Sequence, residues 1–269
     1  MTKTVLITGA SSGFGKITAK LFHRNGWNVI ASMRSPEKET ELSSLEGILT
    51  VLLDVTDPSS IQKAVDKGLE TFGSIDVLIN NAGLGFMGIL ETATDDMVKN
   101  LFDVNVFGLI NVTKIVLPVM RKAKTGVIIN LSSMGGKVTM PYMSVYNATK
   151  FAVEGLTESM QFELNPLGIQ FKLIEPGLYG TNFRGGLSTS DPGNIEDYKP
   201  GYSRGVGALA AAPPNADINE VAETIYAAAT DGSEQLRYPV GADAVRIMAI
   251  RPTTDDVDFK HMLQQRFGI

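Results

Sequence analysis

The chain has 269 residues, 43% of them hydrophobic and 20% charged, and a formal net charge of −5. That acidic balance argues against nucleic acid or an anionic membrane as a partner. No run approaches the roughly 18 apolar residues that a membrane-spanning helix needs. There are no cysteines, which excludes disulfides, thiolate catalysis and cysteine metal sites.

Short apolar runs alternate with helical patterns along the chain. Residues 2–4 lead directly into Val5, Leu6 and Ile7, which leaves no room for a signal peptide and points to a cytoplasmic protein. The first strand is expected over residues 4–8, then a helix over 16–25 and strands over 28–32 and 48–53. A helix over 59–72 and a strand over 77–80 follow, then a long helix over 95–122. Strands at 126–132 and 169–174 flank a helix at 144–164. These strands are continuous apolar runs, as expected where both faces of a sheet are covered. The βαβα rhythm predicts an α/β fold: a doubly wound parallel sheet with helices on both faces and right-handed crossovers. No linker divides the chain, so residues 1–269 are expected to form a single domain. The segment at about 178–214 breaks the rhythm with clustered glycine and proline, Tyr198 and Tyr202, and reads as a functional insertion. Helical character returns at 219–230 behind the capping candidates Asp217 and Asn219. Residues 238–269 carry no decisive pattern.

Gly9, Gly13 and Gly15 stand between the first strand and the first helix. Their spacing, Gly-x-x-x-Gly-x-Gly, differs from the usual dinucleotide fingerprint, but the physics is the same. Glycine permits a tight turn and close approach of a pyrophosphate, whose charge is met by the helix N-terminus.

Tyr146 and Lys150 lie four residues apart in a helical pattern, thirteen residues after Ser133. Positions i and i+4 share a helix face, so the ammonium can approach the phenol. A free phenol, with a pKa of about 10, transfers protons poorly near neutrality, and a nearby positive charge favours the phenolate. A serine hydroxyl from an adjacent strand end could polarise the same substrate oxygen. By itself a Tyr-x-x-x-Lys spacing arises often by chance; the motifs around it give it weight.

Thr8 to Gly15, Leu53-Asp54-Val55, Asn80-Asn81-Ala82-Gly83, Asn105, Ser133 with Tyr146 and Lys150, and Pro176-Gly177 followed by Thr181 occur in this order. The ordered set resembles the short-chain dehydrogenase/reductase family over residues 3–182, which implies a Rossmann-like sheet and a dinucleotide-binding, catalytic domain. The resemblance implies that Gly9, Ser11, Ser12, Gly13, Phe14 and Gly15 wrap the adenosine ribose and pyrophosphate. Asp54 would meet the adenine amino group with Val55 beside the ring; from the residues alone, Asp54 could equally cap the following turn. Asn81, Ala82 and Gly83 would wall the cofactor groove, and Pro176, Gly177 and Thr181 would hold the nicotinamide. Asn105 would order a water linking Lys150 to solvent. Its local reading is a polar residue or kink inside an apolar helix.

A carboxylate at the end of the second strand favours NAD, whereas an arginine there accommodates the extra phosphate of NADP. Met33 and Arg34 occupy that place, and no acid appears until Glu37, so NADP(H) is expected ahead of NAD(H), with Arg34 on the 2′-phosphate and Ser12 and Lys38 as helpers. The expected reaction is reversible hydride transfer between the nicotinamide and a hydrophobic ketone, aldehyde or secondary alcohol. Tyr146 would be the general acid/base, Ser133 the oxygen holder and Lys150 the group that lowers the tyrosine pKa and steadies the ribose. Leu84, Phe86, Met87, Met134, Met140, Tyr142 and Met143 are candidates for the substrate cleft, and Phe183, Leu187, Tyr198 and Tyr202 for a lid; core packing would suit them as well. A similarity to retinol- and hydroxysteroid-type members is carried by residues 146–155. Alternatives are an NAD-dependent dehydrogenase, an epimerase or dehydratase, and a non-catalytic cofactor-binding sensor. The resemblance further implies a homodimer or homotetramer formed through the helices at 95–122 and 144–164. No metal is expected: His23 and His261 have no ligand partners at coordinating spacing.

Overall fold

The computed structural model describes residues 2–180 and 187–269. Its strands are β1 (Thr4–Thr8), β2 (Asn28–Met33), β3 (Ile48–Leu52), β4 (Val77–Asn80), β5 (Phe86–Gly88), β6 (Gly126–Leu131), β7 (Ile169–Pro176), β8 (Ser188–Ser190) and β9 (Arg237–Val240). Seven of them form a central sheet in the order β3-β2-β1-β4-β6-β7-β9, all parallel, while β5 and β8 pair separately. The order reverses between β1 and β4. In such sheets a crevice opens at the carboxyl ends of the strands at this reversal.

The helices are α1 (Gly13–Arg24), α2 (Pro58–Phe72), α3 (Asp95–Phe102), α4 (Leu109–Ala123), α5 (Ser144–Leu164), α6 (Lys199–Ala211), α7 (Asn219–Thr230), α8 (Ala242–Ile250) and α9 (Asp256–Phe267). They cover both faces of the sheet. Val5 and Ile7 of β1 pack with Ala19 and Phe22 of α1 and with Val221 and Ile225 of α7. Leu6, between them, faces Ile61 and Val65 of α2 and Val112 and Val116 of α4. A pleated strand sends alternate side chains to opposite faces, so a strand covered twice must be apolar throughout. Each fully buried aliphatic side chain contributes about 1.5–3 kcal/mol.

The helix expected over 95–122 is divided. Between α3 and α4, residues Asp103–Gly108 form a wider π turn around the buried Asn105. The whole helical stretch Asp95–Ala123 is long and apolar enough to cross a membrane by length and composition, contrary to the reading of the linear sequence. Its apolar character is spent on the sheet, where Val112, Val116 and Met120 are completely buried. The 178–214 segment, expected as an irregular insertion, carries β8 and α6. The unpatterned C-terminal stretch supplies the edge strand β9 and the helices α8 and α9, whose Ile247, Phe259, Leu263 and Phe267 close a separate small core against Val138 and Met140.

Candidate active site

The glycine-rich turn leaves β1 and becomes the first turn of α1, so this helix begins three residues earlier than its apolar periodicity predicts. Gly9 and Gly13 have φ of +68° and +54°, a region that favours glycine. At Gly15 a Cβ would lie 2.5 Å from both Asn81 Nδ2 and the Gly9 carbonyl. Asn81 secures the turn from the neighbouring strand end: its Nδ2 donates to the carbonyls of Thr8 (2.8 Å) and Gly9 (3.1 Å). Thr8 Oγ1 in turn accepts the backbone N–H groups of Asn81 and Ala82, both at 3.0 Å. Ser12 begins α1 without a side-chain cap, and Ser11 and Ser12 are exposed. The first N–H groups of α1 therefore have no competing side-chain acceptor, and the cradle leaves no room for a Cβ. A dinucleotide pyrophosphate fits both features. Phe14 is turned to the protein side, its ring edge-on to Tyr179 at 5.5 Å.

Around this turn the other expected residues converge in part. Arg34 follows β2 exposed, with no hydrogen bond or ion pair among the described residues, while Met33 is buried. Asp54 uses Oδ1 to accept the N–H (2.9 Å) and hydroxyl (2.7 Å) of Thr56, the turn-capping role left open by the sequence. Burial works against ionisation of Asp54, but the Thr56 bonds and the Arg34 charge outweigh it and lower its pKa. Val55 is buried against Gly108, where an added Cβ would come within 2.6 Å of Val55 Cγ2. Gly83 lies between Asn105 Oδ1 and Lys150 Nζ, which would stand 3.3 Å and 3.9 Å from a Cβ there. Thr181 and Phe183 lie outside the described residues.

The π turn serves the site directly. Asn105 Oδ1 accepts the Leu84 N–H (2.7 Å), and its Nδ2 donates to the Leu84 carbonyl (2.9 Å) and to Thr149 Oγ1 (3.1 Å). A side chain that competes for backbone partners is a poor helix interior residue; here it ties the 81–84 turn to α5.

Ser133 lies two residues beyond β6 and Tyr146 in the first turn of α5, and a Cβ on Gly135 would meet both Ser133 Oγ (3.3 Å) and Tyr146 Cε1 (3.4 Å), so the two side chains are neighbours. Lys150, one turn later, places Nζ 5.8 Å from the centroid of the Tyr146 ring and donates to the Leu131 carbonyl at 2.8 Å. Both α5 residues are buried. Burial pushes Tyr146 up to about 12, only partly offset by Ser133. Burial also brings Lys150 down to about 8, with Glu154 opposing. The lowering of Tyr146 expected from the i,i+4 spacing is therefore not what this arrangement produces. The ammonium points to a backbone carbonyl and lies over the ring, and desolvation of the phenolate dominates.

Several cleft candidates belong to the core. Phe86 is completely buried beside Leu101, Val145 and Tyr146, and Met140 packs beneath α9. Tyr142, at a left-handed φ of +61°, is edge-on to Tyr202 of α6 at 5.5 Å. Leu84 and Met143 border Tyr146 and remain partly exposed. The cleft lined by Lys137, Pro141, Phe151, Phe259 and Leu263 contains none of the Ser133, Tyr146 or Lys150 set.

Two residues that carried no motif hold the Pro176-Gly177 turn. Asp243 Oδ2 accepts the Leu178 N–H at 2.8 Å, and its Oδ1 accepts Asn215 Nδ2 at 2.6 Å. Asn215 also donates to the Leu178 carbonyl at 3.0 Å. A Cβ at Gly177 would fall 1.9 Å from Asp243 Oδ1, so only glycine fits. The available signals were the glycine itself and an acid in the first turn of a C-terminal helix.

A glycine-rich strand–helix turn near a buried Tyr–Lys pair with a half-buried serine beside it suits an NAD(P)-dependent oxidoreductase working between CH–OH and C=O. Comparison with known proteins makes the assignment specific. The short chain dehydrogenase family model matches residues 3–191. An uncharacterized oxidoreductase of Schizosaccharomyces pombe is 39% identical over 246 residues, covering 88% of this chain and all of the relative. A 3-ketodihydrosphingosine reductase of Bacteroides thetaiotaomicron is 42% identical over 201 residues, 74% of this chain and 73% of that protein. The crystal structure of a short-chain dehydrogenase from Streptomyces avermitilis superposes with a TM-score of 0.84 at 31% identity, covering 100% of this chain and 98% of its own. NADP-bound ElxO superposes with a TM-score of 0.77 at 28% identity, covering 91% and 100%. The chain belongs to the short-chain dehydrogenase family.

Proposed function

We propose that this protein reduces hydrophobic ketones or aldehydes with NADPH, and oxidises the corresponding alcohols, with Tyr146 as the general acid/base. The observation that carries the reading is the placement of the Ser133 side chain and the Lys150 ammonium beside the buried Tyr146 phenol. The bound nicotinamide would exchange hydride with the carbonyl carbon. Tyr146, its pKa held at about 12, keeps its proton at neutral pH and is set to deliver it to the developing alkoxide. Ser133 would share the oxygen through its hydroxyl. Lys150 would contribute positive charge beside the phenol and reach the nicotinamide ribose, and the Asn105 turn would keep α5 in register with the 81–84 wall. In the oxidative direction Tyr146 must first lose its proton, so the same burial favours reduction near neutrality.

The NADP(H) preference is supported by exposed Arg34, which has no hydrogen bond or ion pair among the described residues, next to the buried Met33, with no carboxylate ending β2. One charge-assisted contact is worth about 1.5–3 kcal/mol, so Arg34→Ala should raise the KM for NADPH by about one to two orders of magnitude and barely change that for NADH. An equal effect on both would remove this assignment. The apolar substrate class is supported by Leu84 and Met143 beside Tyr146 and by the similarity to the 3-ketodihydrosphingosine reductase. Stoichiometric NADPH oxidation with a panel running from long-chain ketones to sugars tests it; a preference for sugars would refute it. Association through the helical stretches 95–122 and 144–164 is supported by exposed Phe107 in the π turn before α4 and by exposed Phe151 and Phe162 on α5. Sedimentation at micromolar concentration should show a dimer or tetramer.

A further inference from the structure

Behind Lys150 lies a buried acidic pair that the chemistry above does not use. Glu154 follows Lys150 by one turn of α5, and Glu175 is the last residue of β7 before Pro176; their exposures are 4% and 0%. Arg237 of β9 donates from Nε to Glu154 Oε2 at 3.0 Å and stands 3.6 Å from Glu175 Oε1, while its Nη2 serves Glu158. Neither Glu154 Oε1 nor either oxygen of Glu175 receives an N–H or O–H donor from any described residue. Both carboxyls are held against the one Arg237 guanidinium, and burial and then the charge of Glu154 push the Glu175 carboxyl up. Two ionised carboxylates excluded from water beside one shared guanidinium would repel strongly, and a single proton held between them removes that repulsion.

We propose that Glu154 and Glu175 share a single proton, and that the one negative charge left on the pair makes Glu154 a positioning residue that keeps Lys150 charged in its buried seat. The charged groups facing the pair are Lys150 and Glu158 on α5, Arg237 on β9 and Lys137 after β6. With one proton shared, the pair keeps a single negative charge among Arg237, Lys137, Glu158 and the Lys150 ammonium. The route to the site is short. A Cβ on Gly136 would touch Ser132 Oγ (2.6 Å), Glu154 Cγ (2.9 Å) and the Lys150 carbonyl (3.1 Å), so these groups crowd one spot directly beneath Ser133. The titration agrees with this picture: burial and then Glu154 push Glu175 up to about 8, and Glu154 resists the burial that lowers Lys150.

The catalytic half of the proposal rests on the role of Lys150 given under Proposed function; the shared proton does not. Infrared spectroscopy of the purified protein at pH 7 should show a protonated-carboxyl band that is absent from Glu175→Gln. Because the folded-state value of Glu175 lies above its ordinary 4.5, the native state keeps a proton that the unfolded state releases, so stability should fall as pH rises from about 4.5 to 8. Glu175→Gln should lose that slope in thermal unfolding. In turnover, Glu154→Gln should move the alkaline fall in kcat/KM about one pH unit lower, the effect of removing one neighbouring opposite charge. Glu175→Gln, which can still donate to Glu154, should leave that fall in place. A missing acid band with an unchanged stability slope would overturn the shared proton, and an unmoved alkaline limb in Glu154→Gln would overturn the positioning role. If Lys150→Ala keeps full turnover, the assignment of the reaction fails instead, while the band and the slope still decide the pair.

Discussion

Among the described residues, two clusters bring serine, tyrosine and buried lysine together, one near the carboxyl ends of β4 and β6 and one at the far edge of the sheet. In the first, Lys150 lies 5.8 Å from the Tyr146 ring centroid, with the Ser133 side chain beside Tyr146. At the far edge of the sheet, Lys172 of β7 lies 5.5 Å from the Tyr238 ring centroid, and its Nζ is 3.2 Å from both Tyr238 OH and Ser233 Oγ. Both tyrosines are pushed up to about 12, first by burial. What separates them is the partner. Tyr238 donates to Asp231 at 2.6 Å, and Lys172 also binds the Ser233 carbonyl and approaches Asp231, so every group is occupied. Lys150 meets one backbone carbonyl and no carboxylate within ion-pair distance among the described residues. A shifted pKa thus marks burial in both places; what distinguishes the Tyr146 cluster is an ammonium with no carboxylate partner among the described residues, close to Gly83 of the 81–84 turn.

The sharpest way to break this comparison is to remove each phenol oxygen in turn. Tyr146→Phe should lower kcat by about two to four orders of magnitude, the usual worth of a positioned acid/base, with NADPH binding retained in a fluorescence titration. Tyr238→Phe should keep turnover within about threefold and instead cost about 1–2 kcal/mol in chemical unfolding, through the lost bond to Asp231. Comparable activity losses in both would show that the two clusters are not different in kind.

The pH profile sharpens it next. Lys150 titrates at about 8, so kcat/KM for reduction should be level below that pH and fall roughly tenfold per unit above it as the ammonium is lost. Lys172→Met should leave this limb unchanged. A smaller effect is expected at the support of the nicotinamide end: Asp243→Ala releases the Leu178 N–H and Asn215 together. The KM for NADPH should rise by about tenfold, matching about 1–1.5 kcal/mol for a loosened turn, with the thermal midpoint nearly unchanged. A kcat effect without a KM effect would place Asp243 in another role.

The fold was legible where one physical rule dominates. Strands buried on both faces must be apolar throughout, which placed β1 and β4 to the residue; α5 and α7 were equally clear from their periodicity. The glycine turn and the Ser133, Tyr146, Lys150 order were legible because these chemistries need particular residue types at short range. Three parts were not. The π turn at Asn105 follows from contacts to Leu84 and Thr149 that lie 21 and 44 residues away. Helix α6 has many glycines, two of which, Gly201 and Gly205, sit against Tyr142, so its helical state depends on packing and not on propensity. Phe86 and Met140 have the composition of a pocket and the position of a core.

By itself the sequence determined the parallel α/β sheet, the glycine-rich turn after β1 and the helical spacing of Tyr146 and Lys150, because those depend on local periodicity, local backbone freedom and short spacings. Only the tertiary structure decided the electrostatics. It buries Tyr146 and Lys150 deeply enough to shift both, turns the ammonium to the Leu131 carbonyl, and brings Glu154, Glu175 and Arg237 together from α5, β7 and β9. Charges spaced along a chain acquire their energies only when folding sets their separation and removes the water between them.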